Sequence, residues 1–185
     1  MQWRNNQQRW GMTAIFLHWL VAIAVIGLFG LGWWMTGLSY YDVWYKQGPY
    51  IHKSIALILF AVVIGRMVWR KLDPPPAHNT HHARWEINIA KITHGALYLL
   101  LLIIFVSGYL ISTADGRAIS VFDWFEVPAT IQGITNQEDI AGAIHWYGAC
   151  VLMTTVGLHA LGALKHQIID KDGTLSRMFG LVNKR

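Results

Sequence analysis

Six histidines lie in stretches of the sequence that otherwise hold few ionisable side chains. They are His18, His52, His94, His145, His159 and His166. An imidazole nitrogen can bind a transition metal. Ionisable groups within a bilayer usually mark a function, because placing them there is costly. A single intramembrane histidine is as readily explained by a hydrogen-bonded structural role, but six of them in four segments indicate a metal or cofactor site.

The spacing of two of these histidines is the sharpest signal. His145 and His159 are 14 residues apart, so on one α-helix they differ by about 40° in direction and about 21 Å in height. Zinc takes three or four protein ligands that lie close together. Haem iron takes four nitrogens from its macrocycle and needs only two axial ligands. The spacing therefore favours two stacked haem groups, each held by two imidazoles.

Four nearly uncharged runs carry these histidines. The runs cover residues 13–36, 52–70, 92–113 and 140–166, in a chain of 185 residues that is 54% hydrophobic. A helix of about 20 residues spans a bilayer, and backbone polar groups in lipid must bond within their own helix. We therefore predict an all-α integral membrane four-helix bundle that forms a single domain. The single Cys150 excludes an intramolecular disulfide and covalent haem attachment through a Cys-x-x-Cys-His motif.

The charges between the runs predict the orientation of the chain. Lysine and arginine outnumber acids in the N-terminal tail, in residues 66–91 and after residue 164, whereas residues 115–139 hold one arginine and five acids. By the positive-inside rule, both termini and residues 66–91 are cytoplasmic. The net charge of +5 is thus a topology signal, so lipid is the expected surrounding and nucleic acid is discounted as a partner.

With this orientation the histidines sort into two layers, because chain direction alternates between spans. His52, which opens the second span, lies with His145 toward the outer face. His18, His94 and His159 lie toward the cytoplasm. Each layer therefore offers enough imidazoles for one haem.

Cations and further histidines accompany these layers. A buried haem propionate needs a cation, and Arg66 suits an inner propionate, with snorkelling to the headgroups as the alternative. Lys53 suits the outer haem in the same way. His166 and His94 are candidate catalytic residues, because an imidazole near the inner haem can donate or accept a proton near neutral pH. Rim positions without chemistry explain these two equally well.

Three histidines follow the Pro74-Pro75-Pro76 stretch in the second connection. They are His78, His81 and His82. We interpret them as a solvated surface cluster in preference to a metal site.

Taken as a set, the motifs resemble the bacterial cytochrome b561 family. The matching pieces are Ile15-Phe16-Leu17-His18-Trp19, His52-Lys53-Ser54, Arg66, Trp69-Arg70, Pro74-Pro75-Pro76, His94-Gly95-Ala96-Leu97-Tyr98, His145-Trp146, Gly157-Leu158-His159-Ala160 and the segment 171–178. The resemblance implies two non-covalent haem b groups, the outer bound by His52 and His145 and the inner by His18 and His159. It also implies ubiquinone as a substrate and the bacterial inner membrane as the location, and superoxide oxidation is an activity found in the family.

We therefore expect an oxidoreductase that exchanges electrons between an outer donor, with superoxide as a candidate, and membrane quinone. The alternative is a haem b anchor subunit of a hydrogenase or formate dehydrogenase type of complex. The short C-terminal tail offers no extended docking segment, which favours the first reading. A divalent-metal transporter would require carboxylates within the spans, and the four runs contain none.

Overall fold

The computed structural model describes residues 2–77, 83–131 and 133–181. Its elements in chain order are α1 Met12–Met35, α2 Trp44–Leu72, α3 Arg84–Ser112, β1 Ile119–Val121, β2 Phe125–Val127, α4 Gln137–Ile168 and α5 Thr174–Met178. The predicted helical membrane class is confirmed, because α1 to α4 are long and apolar enough to cross a membrane. Many of their large apolar side chains are exposed, as is expected of surfaces that face lipid.

The four helices contain the four predicted runs to within one residue, but α2 and α3 begin eight residues earlier than expected, at Trp44 and Arg84. His52 therefore does not open α2, as we expected, but lies about two turns inside it. The backbone N–H of Ala83 donates to Glu86 Oε2 at 3.0 Å, which caps the polar start of α3. Both helices thus continue past their apolar runs into polar sequence.

The chain divides into two compact units. The first, here called the His18 unit, comprises Met1–Ala22, Val62–Leu97 and Thr154–Arg185. Its C-terminal segment packs on α1, because Trp19 Nε1 donates to the Met178 carbonyl at 2.8 Å and the Trp19 ring stacks on Phe179. Its N-terminal segment folds back on the start of α1, where the Met12 N–H donates to the Gln2 carbonyl at 3.0 Å.

The second, here called the His52 unit, comprises Ile23–Ala61 and Tyr98–Met153. It contains the antiparallel hairpin of β1 and β2, in which Ile119 pairs with Val127 and Val121 with Phe125. The N–H of Trp124 donates to the Val121 carbonyl, closing a tight turn.

The hairpin is tied to α2 through Ser54, which is fully buried. Ser54 Oγ accepts a hydrogen bond from the Phe122 N–H at 3.2 Å and lies 3.5 Å from the Ser120 carbonyl. The sequence analysis did not identify these strands in residues 115–139. Phe122 and Asp123 both have positive φ, which suits the turn of a two-stranded hairpin.

Candidate haem-binding histidine pairs

In the His52 unit, α2 and α4 bring His52 and His145 together. Their ring centroids are 6.3 Å apart and the ring planes are inclined by 68°. Both side chains are half-buried.

The ring of His145 is held in one orientation by α3. Its Nδ1 lies 3.0 Å from the Ile104 carbonyl and 3.2 Å from Ser107 Oγ. A carbonyl oxygen only accepts hydrogen bonds, so Nδ1 carries the proton and Nε2 keeps its lone pair. This is the usual arrangement for a metal-binding histidine, in which the second ring nitrogen is held by an acceptor.

Small residues lie against both imidazoles of this pair. A Cβ added to Gly108 would lie 3.1 Å from Cε1 of His145, and one added to Gly32 would lie 3.3 Å from Cε1 of His52. The buried Nδ1 of His52 has no hydrogen-bond partner among the described residues. A buried polar atom left without a protein partner is expected where a bound group completes the site.

In the His18 unit, α1, α3 and α4 bring three histidines together. The ring centroids of His18 and His159 are 6.4 Å apart, with planes inclined by 66°. The ring centroids of His94 and His159 are 5.2 Å apart. The three imidazoles of the predicted inner layer are therefore neighbours.

The separations can be compared with those expected for axial ligands of one metal ion. A nitrogen ligand lies about 2 Å from its metal, and about 1.1 Å from the centre of its ring, so two imidazoles that held one ion from opposite sides would have centroids about 6.2 Å apart. The His52–His145 and His18–His159 pairs fit this value. The His94–His159 separation is about 1 Å too short, so His94 fits a neighbouring role better than an axial one.

Glycines one turn from the α4 histidines leave space on the same helix faces. Gly142 is three residues before His145 and Gly162 is three residues after His159, and a Cβ at either position would meet nothing within 4 Å. Residues three apart on a helix share a face. This open space would leave room for a flat macrocycle beside each α4 histidine, so the residues present fit a haem in both units.

Arg66 and Lys53 differ in what the structure shows of them. Arg66 Nη2 lies 2.8 Å from His18 Nδ1, and because a guanidinium only donates, that nitrogen accepts. Arg66 is therefore next to the His18–His159 pair. Lys53 adjoins His52 on α2 and is half-buried.

His166 belongs to a cluster of charged side chains at the end of α4. Its Nδ1 lies 2.6 Å from Asp170 Oδ2. Lys165 Nζ lies 2.7 Å from both Asp170 Oδ2 and Glu86 Oε1. The hydrogen bond from Lys165 lowers the pKa of Asp170, with a further contribution from the hydrogen bond to His166. His166 thus has a carboxylate partner that the sequence analysis did not identify.

Several residues that contact the histidine pairs were not identified from the sequence. Ser107 and Gly108 adjoin each other in α3 and both lie against His145, but neither was identified from the sequence. Ile104 contacts His145 through its backbone carbonyl. Every residue has such a carbonyl, so the sequence does not indicate this contact. His78, His81 and His82 lie outside the described residues.

Comparisons with known proteins identify the family of the chain. The family description Prokaryotic cytochrome b561 matches residues 9–181. Cytochrome b561 homolog 2 of Escherichia coli (strain K12) is 47% identical over 180 residues, which cover 97% of this chain and 96% of that protein. The probable superoxide oxidase CybB of Yersinia pestis is 27% identical over 176 residues, covering 92% of this chain and 96% of that protein.

The family match includes all four apolar helices and all six histidines singled out from the sequence. The chain therefore belongs to the prokaryotic cytochrome b561 family of multi-pass membrane proteins, which bind haem b and transfer electrons.

Proposed function

We propose that this protein carries electrons across the bacterial inner membrane through two haem b groups, one on the His52–His145 pair and one on the His18–His159 pair. The observation that carries the proposal is the equal spacing of the two pairs, 6.3 Å and 6.4 Å between ring centroids. A bound haem supplies a one-electron redox couple at its iron. The chain supplies the axial nitrogens and sets their protonation.

In the His52 unit, the protein's task is to hold its ligands ready. The Ile104 carbonyl keeps the proton of His145 on Nδ1, which leaves Nε2 available to a metal. Gly32 and Gly108 allow the two imidazoles to approach the backbone of α1 and α3 closely. Lys53 is proposed as the cation for a propionate of this haem.

In the His18 unit, Arg66 has two alternative roles. It donates to His18 Nδ1 at 2.8 Å, which leaves the proton of a neutral His18 on Nε2. Ligation through Nε2 requires that proton on Nδ1 instead, so the guanidinium has to leave this nitrogen when His18 binds a metal. We propose that Arg66 then pairs with a propionate.

We propose that ubiquinone exchanges electrons in the His18 unit. Reduction of a quinone to a quinol takes two electrons and two protons, so its site needs a titratable group beside a cofactor. His166, hydrogen-bonded to Asp170, is the proposed proton donor, and His94 beside His159 is the second candidate.

The proposed donor on the outer side is superoxide. Each superoxide that gives up one electron becomes dioxygen, so two of them and two protons reduce one quinone. The relative from Yersinia pestis carries the name probable superoxide oxidase, which supports this choice.

The first experiment counts the haem. The purified protein is expected to give about two haems per chain by pyridine haemochrome, with a reduced-minus-oxidised spectrum of low-spin haem b. One haem per chain, or a colourless zinc-loaded protein, would contradict the proposed ligand pairs.

The second experiment tests the quinone site. His166→Ala is expected to keep both haems and to slow steady-state quinone reduction by about a hundredfold, the lower range for a positioned proton donor. His166→Asn is the matched variant, since it keeps a hydrogen-bonding side chain without an imidazole. Unchanged turnover per haem in both variants would contradict the proposal that His166 is the proton donor and would leave His94 as the candidate.

The third experiment tests the orientation and the donor. Reporter fusions are expected to place residues 37–51 and 115–139 outside the cytoplasm. In reconstituted vesicles, superoxide generated on the side that carries these two segments is expected to reduce quinone in the membrane. Quinone reduction that depends on superoxide from the opposite side would reverse the proposed orientation of the donor site.

A further inference from the structure

A cavity of about 470 Å³ lies in the His18 unit, where the two chain termini meet α1. Its lining residues include Gln2, Arg9, Met12, Ile15, Arg177 and Leu181. They comprise two arginines and no acidic residue or histidine. The cavity therefore differs in chemistry from the histidine cluster of the same unit.

The lining of the cavity carries positive charge. Arg177, in α5, has a buried Nε that finds no hydrogen-bond partner in residues 2–77, 83–131 and 133–181. A buried donor left unsatisfied is costly, more so when it is charged. Arg9 lines the same cavity, so the lining offers two guanidinium groups to a bound anion.

Apolar residues of the lining lie where α1 begins. Met12 is the first residue of α1, and Ile15, one turn on, is buried. Trp10 also lines the cavity, and tryptophans are enriched at the level of lipid headgroups. A ligand with an anionic head and an apolar chain matches both features of the lining, whereas a quinone has no formal charge for the arginines to pair with.

The segment before α1 is held in place by close contacts. A Cβ at Gly11 would overlap the Trp3 carbonyl oxygen, so the chain passes the residue before α1 at a point that only glycine allows. The Asn5 N–H donates to Asp73 Oδ2 at 2.9 Å, which fixes the same segment to the end of α2. Gln2 and Arg9, which line the cavity, belong to this held segment.

We propose that this cavity binds the phosphate headgroup of an anionic phospholipid. The phosphodiester pairs with Arg9 and Arg177, and the start of an acyl chain runs along Met12 and Ile15. Electrostatic attraction of anionic lipid to a basic residue near the membrane surface corresponds to about a fivefold preference for each charge.

The test uses the full-length, haem-loaded protein in mixed micelles of equimolar phosphatidylglycerol and phosphatidylcholine. Native mass spectrometry counts the lipids retained per chain. We expect wild type to retain phosphatidylglycerol in preference to phosphatidylcholine. Arg9→Gln and Arg177→Gln are each expected to lower that preference by about fivefold. Arg4→Gln is the matched control, because Arg4 belongs to the same segment but does not line the cavity.

Arg9 is exposed, so Arg9→Gln keeps the test decisive even if Arg177→Gln does not fold. Equal retention of the two lipids by wild type would overturn the proposal. An unchanged preference in Arg9→Gln would do the same. Displacement of phosphatidylglycerol by inorganic phosphate alone would show a free-anion site in place of a lipid site.

Discussion

The His52 unit and the His18 unit each hold a histidine pair with nearly the same ring separation, but they surround that pair differently. In the His52 unit, His145 is held by a backbone carbonyl and a serine hydroxyl, and glycines lie against both rings. In the His18 unit, a guanidinium contacts His18, and a third histidine lies beside His159.

The difference separates two requirements of an electron carrier. Neutral acceptors and close backbone contacts fix a ligand without adding charge to its surroundings. Charged and titratable neighbours instead couple a redox centre to protons and to the potential of its environment. With a haem in each unit, as proposed, the first unit would mainly hold its cofactor, and the second would also adjust the potential and the proton exchange of its cofactor.

The largest effect is expected when one histidine of a pair is replaced. His145→Ala and His159→Ala are each expected to lower the haem content from about two to about one per chain, because each removes one of the two ligands proposed for one haem. Pyridine haemochrome measures the loss, and a redox titration identifies which haem is left. His94→Ala serves as the control and should keep both haems. Full haem content in either ligand variant would show that the pairing is incorrect.

Gly108→Ala tests whether close packing against His145 retains the cofactor in the His52 unit. The added methyl group would lie 3.1 Å from Cε1 of His145, so the imidazole has to shift from the position in which it binds. Crowding of a packed site costs about 1–3 kcal/mol, and we expect haem transfer to apomyoglobin to become about tenfold faster.

The control for this change is Gly27→Ala, since a Cβ at Gly27 in α1 would meet nothing within 4 Å. Equal haem loss from the two alanine variants would mean that close contact with the ring has no part in retaining the cofactor.

Arg66→Gln tests the charge in the His18 unit. A cation disfavours the oxidised, more positive haem, so its removal is expected to lower the midpoint potential of one haem by about 50–100 mV. The other haem should be unaffected. Spectroelectrochemical titration resolves the two, with Arg70→Gln as the control on the same helix. Equal shifts in both haems would contradict the assignment of Arg66 to one pair.

The smallest expected effect is that of Ser107→Ala. The hydroxyl lies 3.2 Å from His145 Nδ1, but the Ile104 carbonyl is closer and stays in place. We expect the potential of the His145 haem to change by at most about 20 mV. Ser112→Ala, at the end of the same helix, is the control. A shift as large as that of Arg66→Gln would remove the distinction between the two units.

Much of the helical architecture could be predicted from the sequence, because long uncharged runs in lipid have few alternatives to helix. The starts of α2 and α3 could not be predicted in this way. They lie in polar sequence, where a helix end is stabilised by local contacts such as the Ala83 N–H with the Glu86 carboxylate.

The candidate site, too, could be predicted from the sequence only in part. The 14-residue spacing of His145 and His159 follows from helix geometry and was visible in the sequence. The contacts of His145 with the Ile104 carbonyl, and of His166 with Asp170, depend on how α3 packs and on how the chain turns after α4. The hairpin was missed because its turn places Phe122, a residue that seldom adopts positive φ, in that conformation.

The buried Ser54 hydroxyl that ties the hairpin to α2 also provides an observable. The Phe122 amide donates to it, so this proton exchanges with solvent only when the hairpin leaves α2. Ser54 is two residues beyond His52 on the same helix. In hydrogen–deuterium exchange, the exchange rate of the Phe122 amide therefore reports how often the hairpin separates from α2 near His52.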